Sequence, residues 1–221
     1  MTSTFRAGLA GAAKSLVWVL AGPGSQFFVE AFIASLGMVS LAEMGDKTQL
    51  LSFVLAARFA GRHWTIIAAI FAATIANHLC AAFVGDWVAA KVSADIMRWS
   101  LGLAFLAFAA WALIPDTLDE KGSQHARYGA FLTTLVLFFI AEIGDKTQFA
   151  TVALGAKFTN LTAVTVGTTL GMMVANIPAV LVGEKLARKF PLSRMRFVAA
   201  AIFAVFGLLI LLGIDVGVTP R

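Results

Sequence analysis

The chain has 221 residues, of which 60% are hydrophobic and 13% are charged, and its mean hydropathy is +0.88. Soluble domains carry roughly 25% charged residues, so this composition excludes an ordinary water-soluble protein and indicates a polytopic membrane protein. The net charge of +5 does not indicate nucleic-acid binding, because the basic residues lie in short tracts between apolar runs, where they set membrane orientation. A single cysteine, Cys80, excludes an internal disulfide and a cysteine-based metal site.

Residues 1–26 form an N-terminal appendage. Its uninterrupted apolar run covers only residues 16–21 and is closed by the sequence Gly-Pro-Gly. Because a membrane-spanning helix needs about 20 apolar residues, we expect an interfacial helix here, with an extra span as the alternative.

An internal repeat determines the predicted architecture. The sequence AEMGDKTQ at residues 42–49 returns as AEIGDKTQ at residues 141–148, 99 residues later, with one difference in eight positions. Further matches flank it at the same offset, including Asn77 with Asn176. The repeat divides the chain into membrane repeat 1 (27–114), a central loop (115–127), membrane repeat 2 (128–213) and a C-terminal tail (214–221).

Each repeat contains three apolar segments. They cover residues 27–60, 64–90 and 97–114 in the first copy, and 128–158, 161–182 and 196–212 in the second. The first segment of each copy would be about 50 Å long as one helix, whereas the hydrocarbon core is about 30 Å thick. We therefore predict that this helix is broken at Gly45 and Gly144, the alternative being a short second membrane element after each motif.

Three crossings per copy, an odd number, place the second copy in the membrane upside down. The predicted fold is thus an all-α polytopic membrane protein with two inverted three-helix repeats (3+3), whose broken first helices meet at the midplane. The loops after the first, third and fifth spans hold nine Lys and Arg residues, against six on the other side. This excess places the central loop in the cytoplasm.

The two motifs carry the candidate metal ligands. Glu43 and Asp46 are three residues apart, as are Glu142 and Asp145, a spacing that puts both carboxylates on one helix face. Ionisable groups inside a membrane are costly and indicate function. Oxygen ligands favour manganese, magnesium or calcium over zinc or copper. Carboxylates that lie close together also take up protons when the metal leaves, as a cation/proton antiporter requires.

Other polar residues of the repeats are candidate supporting groups. The lysines of the motifs can balance charge, and the hydroxyl and amide side chains can assist: Lys47, Thr48, Gln49, Lys146, Thr147, Gln148, Asn77 and Asn176. Structural interpretations stay open. The acidic and basic groups could form salt bridges between helices, the glutamines could cap the helix breaks, and the asparagines could hydrogen-bond neighbouring helices.

Two E-x-G-D-[KR]-[TS] signatures in opposed halves of a small membrane protein resemble the family of manganese/calcium transporters of Golgi, thylakoid and bacterial membranes, which includes MneA-type manganese exporters. Both signatures match without departure, at residues 43–48 and 142–147. The resemblance implies a secondary transporter that exports Mn²⁺ from the cytosol in exchange for protons. It also implies location in a bacterial inner membrane, with the metal as substrate and no permanently bound cofactor.

The sequence leaves other kinds of cation transport open and argues against a scaffold or an enzyme. A Ca²⁺/H⁺ antiporter, another divalent-cation transporter or a passive channel remains open, because metal choice depends on the size of the cavity. A non-transporting scaffold would not need mirrored charges inside the membrane. An enzyme is not expected, since neither G-x-S-x-G nor H-E-x-x-H occurs in the sequence.

Overall fold

The computed structural model describes residues 23–114, 129–158, 160–182 and 192–214, and all regular structure within them is helical. The first copy contains α1 (Pro23–Glu43), α2 (Lys47–Arg58), α3 (His63–Ala89) and α4 (Ala94–Ala112). The second contains α5 (Gly129–Glu142), α6 (Lys146–Phe158), α7 (Leu161–Val182) and α8 (Leu192–Leu211). These apolar helices confirm the predicted all-α membrane fold. The central loop, nearly all of the appendage and all but the first residue of the tail lie outside the described residues.

The first segment of each copy is broken at its motif, as predicted. Gly45 and Gly144 have φ angles of +86° and +74°, values that a residue without a Cβ adopts at little cost. The axes of α1 and α2 meet at 68°. Each motif therefore ends one helix and starts another, and its polar side chains surround the break.

The last helix of each copy begins earlier than the third apolar segment of the sequence indicates. α4 starts at Ala94 rather than residue 97, and α8 starts at Leu192 rather than residue 196. The apolar pattern marks only the part of a helix that suits lipid, whereas a polar first turn continues the same helix beyond it. In α4 this turn contains Asp95, and an acidic side chain is favourable at a helix N-terminus.

The two repeats are interlocked rather than side by side. α1 packs mainly on α7, α3 packs on α5, α6 and α7, and α4 packs on α8. All of these pairs join one repeat to the other, and contacts between helices of the same repeat are few. Any group near the centre of the molecule is therefore held by both copies.

Close backbone contacts show the directions of the packed helices. A Cβ atom on Gly167 would lie 2.7 Å from the Phe32 carbonyl oxygen, and one on Gly171 would lie 2.8 Å from that of Leu36. α1 and α7 thus run in the same direction with their backbones touching. α4 and α8 run in opposite directions, since Gly102 faces Leu211 while Gly207 faces Leu106. Three crossings per repeat would produce these directions, and the inverted arrangement stays a prediction.

Individual helices differ in how well they match a bilayer. Within the described residues, His63–Ala89 and Leu161–Leu181 are each long and apolar enough to span a membrane. The bent pair Phe27–Glu43 and Lys47–Arg58 forms a third candidate if it counts as one span. Gly129–Glu142 and Phe197–Leu211 are shorter apolar helices. The described residues thus contain two helices of membrane-spanning length and apolarity, or three candidates if the bent pair counts as one span.

Candidate cation site

The glutamine of each motif fixes the local break. The Gly45 N–H donates to Gln49 Oε1 at 2.9 Å, and the Gly144 N–H donates to Gln148 Oε1 at 2.8 Å. Each bond satisfies a backbone donor that the broken helix leaves without its usual partner. Both glutamines therefore make the contacts expected of residues that cap the helix breaks. Gln49 also donates from Nε2 to the Ala175 carbonyl oxygen at 3.2 Å, which ties the first break to α7.

Reciprocal ion pairs bring the two breaks together. Lys47 Nζ lies 3.0 Å from Asp145 Oδ1, and Lys146 Nζ lies 2.6 Å from Asp46 Oδ1. The lysine of each copy is thus paired with the aspartate of the other copy. The Lys146 side chain is only 5% exposed, against 27% for Lys47. The second pair is therefore the more completely removed from solvent.

Three carboxylates form a compact acidic cluster at this meeting point. Glu43, Asp46 and Asp145 each place one carboxylate oxygen within 4.8 Å of the other two, and all three residues are buried. Oxygens on opposite sides of a hexacoordinate divalent ion are about 4.0–5.2 Å apart, twice the usual metal–oxygen distance. The cluster therefore has the dimensions of a divalent cation site.

Glu43 has an available ligand atom. Its Oε2 accepts a hydrogen bond from Thr48 Oγ1 at 2.5 Å, while its Oε1 is buried and has no hydrogen-bond partner among the described residues. A buried carboxylate oxygen without a donor is unfavourable unless it binds a cation, a proton or water. Glu43 is thus positioned to bind an ion within the acidic cluster.

Glu142, the counterpart of Glu43, is not part of that cluster. Its Oε1 accepts a hydrogen bond from Thr74 Oγ1 at 2.8 Å, and its Oε2 accepts one from Asn77 Nδ2 at 2.6 Å. Asn77 Nδ2 also lies 3.2 Å from the Phe139 carbonyl oxygen. The candidate ligand Glu142 is therefore held by α3, and candidate supporting residue Asn77 is one of the groups that hold it.

The remaining candidate residues stay near the breaks. Thr147 Oγ1 donates to Asp145 Oδ2 at 3.0 Å. Asn176 accepts from Ser52 Oγ at 2.6 Å and donates to the Met172 carbonyl oxygen at 3.0 Å. Sequence reasoning missed Thr74 and Ser52. Their only signal was a hydroxyl in an apolar helix, and such hydroxyls are frequent in this chain.

Comparison with known proteins identifies the family. The family model "Divalent cation/proton antiporter GDT1" matches residues 31–120 and 130–215. The chain belongs to the GDT1 family. The two matched stretches correspond to the two repeats, and each contains one motif. The resemblance drawn from the paired signatures is thus confirmed, and GDT1 is a family of membrane transporters for divalent cations and protons.

Individual relatives agree with the family assignment. A Vibrio cholerae protein named "Putative manganese exporter" is 51% identical over 175 residues, which cover 79% of this chain and 86% of the relative. "GDT1-like protein 4" of Oryza sativa subsp. indica is 30% identical, covering 81% of this chain and 72% of its own. A GDT1-like protein of Synechocystis is 24% identical, with coverages of 80% and 94%. No solved structure matches the chain.

Proposed function

We propose that this GDT1 protein exports Mn²⁺ from the cytosol in exchange for protons, with Glu43, Asp46 and Asp145 as metal ligands. The observation that carries the proposal is the cluster of three buried carboxylates within 4.8 Å of one another at the junction of the two repeats. Its oxygen donors suit a hard divalent ion. Its location between the repeats is where transporters built from repeats bind their substrates.

The charges of the two motifs fit one divalent ion. The four motif carboxylates and two motif lysines carry a net charge of −2 when all are ionised. One Mn²⁺ or two protons would neutralise that remainder. We therefore propose an exchange of two protons for each metal ion, which moves no net charge across the membrane.

The two motif lysines balance the charges of the motif aspartates when the site holds no metal. Each ammonium group lies on one oxygen of the aspartate from the opposite repeat, so the aspartates remain compensated when no metal is bound. Metal and protons then compete for the remaining carboxylate oxygens, because metal ligands must be deprotonated. A lower pH on the outer side favours protonation and release of the metal, and deprotonation on the cytosolic side favours metal binding.

Manganese is the proposed ion because the related Vibrio cholerae protein is named "Putative manganese exporter". The same oxygen donors also suit calcium, so Ca²⁺/H⁺ exchange is the second candidate, and the two ions can be compared in one assay. Export from a bacterial cell places the protein in the inner membrane. Because the cluster binds and exchanges ions without transforming them, the proposed activity is transport and not an enzymatic reaction.

The proposal predicts a cellular phenotype. In a bacterium that lacks its own manganese exporter, expression of this chain should lower cytosolic manganese and restore growth on high manganese. The double variant Asp46→Asn/Asp145→Asn should do neither, because it removes two carboxylates from the cluster. Metal content is measured by mass spectrometry, and membrane levels of both proteins are matched by immunoblot. Unchanged manganese with the wild type contradicts the assignment of the ion, and full rescue by the variant contradicts the assignment of the site.

A further inference from the structure

The two motif glutamates occupy different environments although their sequences are equivalent. Glu142 accepts two hydrogen bonds from α3, from Thr74 and Asn77. Among the described residues, Glu43 accepts no hydrogen bond from α7, the counterpart of α3, and instead contributes an oxygen to the acidic cluster. A symmetric sequence has thus adopted an asymmetric arrangement, in which one glutamate is held by a neighbouring helix and the other is available to an ion.

The asparagines that correspond in the two repeats show the same difference. Asn77 binds Glu142 and lies close to the Phe139 carbonyl oxygen, so it links α3 to α5. Asn176 binds Ser52 of α2 and the backbone of its own helix. No side-chain hydrogen bond joins α1 to α7 within the described residues, where the glycines of α7 form the contact. Only one of the two equivalent helix pairs is therefore fastened through its glutamate.

We propose that Asn77 and Asn176 bind the motif glutamates in turn, each acting as a latch in one of two conformations of the transporter. Replacing the Asn77–Glu142 hydrogen bond by an Asn176–Glu43 hydrogen bond converts one conformation into the other. In the conformation described here, Asn77 binds Glu142 and closes the contact between α3 and α5, which we call the α3–α5 seam, while Glu43 is a ligand of the ion. In the opposite conformation Asn176 leaves Ser52 and binds Glu43, which closes the α1–α7 seam, and Glu142 is released toward the ion. The proposal rests on the proposed transport function and assigns positioning residues to it.

Physical reasons favour such an exchange. Each repeat contains the same glutamate and asparagine at the same offset, so each conformation of one repeat is also available to the other. The acidic cluster has only one glutamate at a time in this arrangement, which keeps the number of buried negative charges around the ion constant. A hydrogen bond to a carboxylate is stronger than a neutral one, so gaining one latch offsets the loss of the other.

The two latches are not equal in strength. Thr74 adds a bond to Glu142 at 2.8 Å, whereas the corresponding position in the second repeat is Met173, which has no hydroxyl group. The conformation in which α3 and α5 are fastened therefore has an additional hydrogen bond. The ion-free protein should rest mainly in this conformation, in which the α1–α7 seam is the one able to open.

The test uses one reporter position on α1, which packs against Gly167 of α7, and the equivalent position on α5. Ser35 of α1 and Thr134 of α5 are equivalent in the repeat, are fully buried and have hydroxyls without partners among the described residues. Each precedes its motif glutamate by eight residues, about 12 Å along a helix. In a Cys80→Ser background, Ser35→Cys or Thr134→Cys is placed in the full-length protein. The rate at which the introduced cysteine reacts with a small charged thiol reagent is then measured in reconstituted vesicles without metal.

The latch variants should shift the two labelling rates in opposite directions. Asn77→Ala should raise the ratio of Thr134→Cys to Ser35→Cys labelling about tenfold, the effect of losing a hydrogen bond to a charged group. Asn176→Ala should lower that ratio, because the bond to the charged Glu43 that it removes from the opposite conformation is stronger than the neutral bond to Ser52 that it removes from the described one. Thr74→Val and Ser52→Ala both remove contacts of the described conformation only, so both should raise it. The last two are conservative changes and keep the test informative if an asparagine variant fails to fold.

Equal shifts in both asparagine variants, or no shift in any variant, would overturn the proposal. A merely structural role for the asparagines predicts equal shifts, because a loosened protein exposes both reporter positions. Labelling is independent of transport, so the two proposals fail separately. Opposite shifts in a protein that moves no manganese would support the latch proposal and contradict manganese transport. Manganese exchange without these shifts would support the transport proposal and contradict the latches.

Discussion

Replacing Glu43 with glutamine is expected to reduce Mn²⁺/proton exchange by at least about 100-fold while leaving the protein folded. Loss of a group that only orients a metal ligand costs about 10–100-fold in affinity or activity, and Glu43 is proposed as a ligand itself. The change is nearly isosteric, and the amide oxygen can still accept the hydrogen bond that Thr48 donates at 2.5 Å. Exchange is measured in proteoliposomes that contain a dye quenched by manganese.

The matched control for this variant is Glu30→Gln. Glu30 lies on the same helix, α1, but is exposed and distant in sequence from the motif, so this substitution removes a carboxylate of the same helix without touching the cluster. The control should retain wild-type exchange. Near-normal transport by Glu43→Gln, with equal amounts of protein in the vesicles, would remove Glu43 from the ligand set and leave the acidic cluster without its proposed role.

Replacing Lys146 with methionine is expected to destabilise the protein more than the same change at Lys47. Removing one partner of a buried ion pair costs about 3–5 kcal/mol, because the other charge loses its compensation in a medium of low dielectric constant. The pair of Lys146 with Asp46 is shorter and less exposed than the pair of Lys47 with Asp145. The apparent melting temperature of the purified protein in detergent should therefore fall further for Lys146→Met.

A double variant separates the ion pair from other effects of the substitution. Asp46→Asn/Lys146→Met removes both charges, so its loss of stability should be smaller than the sum of the two single losses. Additive losses would show that the two residues do not stabilise each other in the folded protein. A larger loss for Lys47→Met than for Lys146→Met would contradict the burial of the two pairs described here.

The repeat made much of the fold predictable. A motif that recurs with one difference in eight positions defines two copies, and an apolar segment too long for a bilayer requires a break at Gly45 and Gly144. The structure contains both breaks, and the motifs contact each other through Lys47 and Lys146. The starts of α4 and α8 were predicted too late, because hydropathy marks the part of a helix that suits lipid rather than its hydrogen-bonded ends.

The asymmetry of the site was not predictable from the sequence. Equivalent motifs predict equivalent glutamates, yet Glu142 is held by Thr74 and Asn77, while Glu43 contributes to the cluster. This difference depends on which side-chain rotamer each glutamate adopts and on which helix supplies the nearest donor. Both depend on tertiary packing, which a repeat in the sequence leaves open. Salt bridges between helices were one interpretation of the motif charges, but the pairing of each lysine with the aspartate of the other copy depends on the same packing.

Coupled exchange is measured as the simultaneous flux of manganese and protons in proteoliposomes with an acidic interior. Wild-type protein should drive Mn²⁺ inward and protons outward in a ratio of one to two, at a rate that does not depend on an imposed membrane potential. The Asp46→Asn/Asp145→Asn variant should show neither flux. Manganese uptake without proton movement would show that the protein does not exchange the two ions, and equal fluxes in the wild type and the variant would show that the acidic cluster is not the transport site.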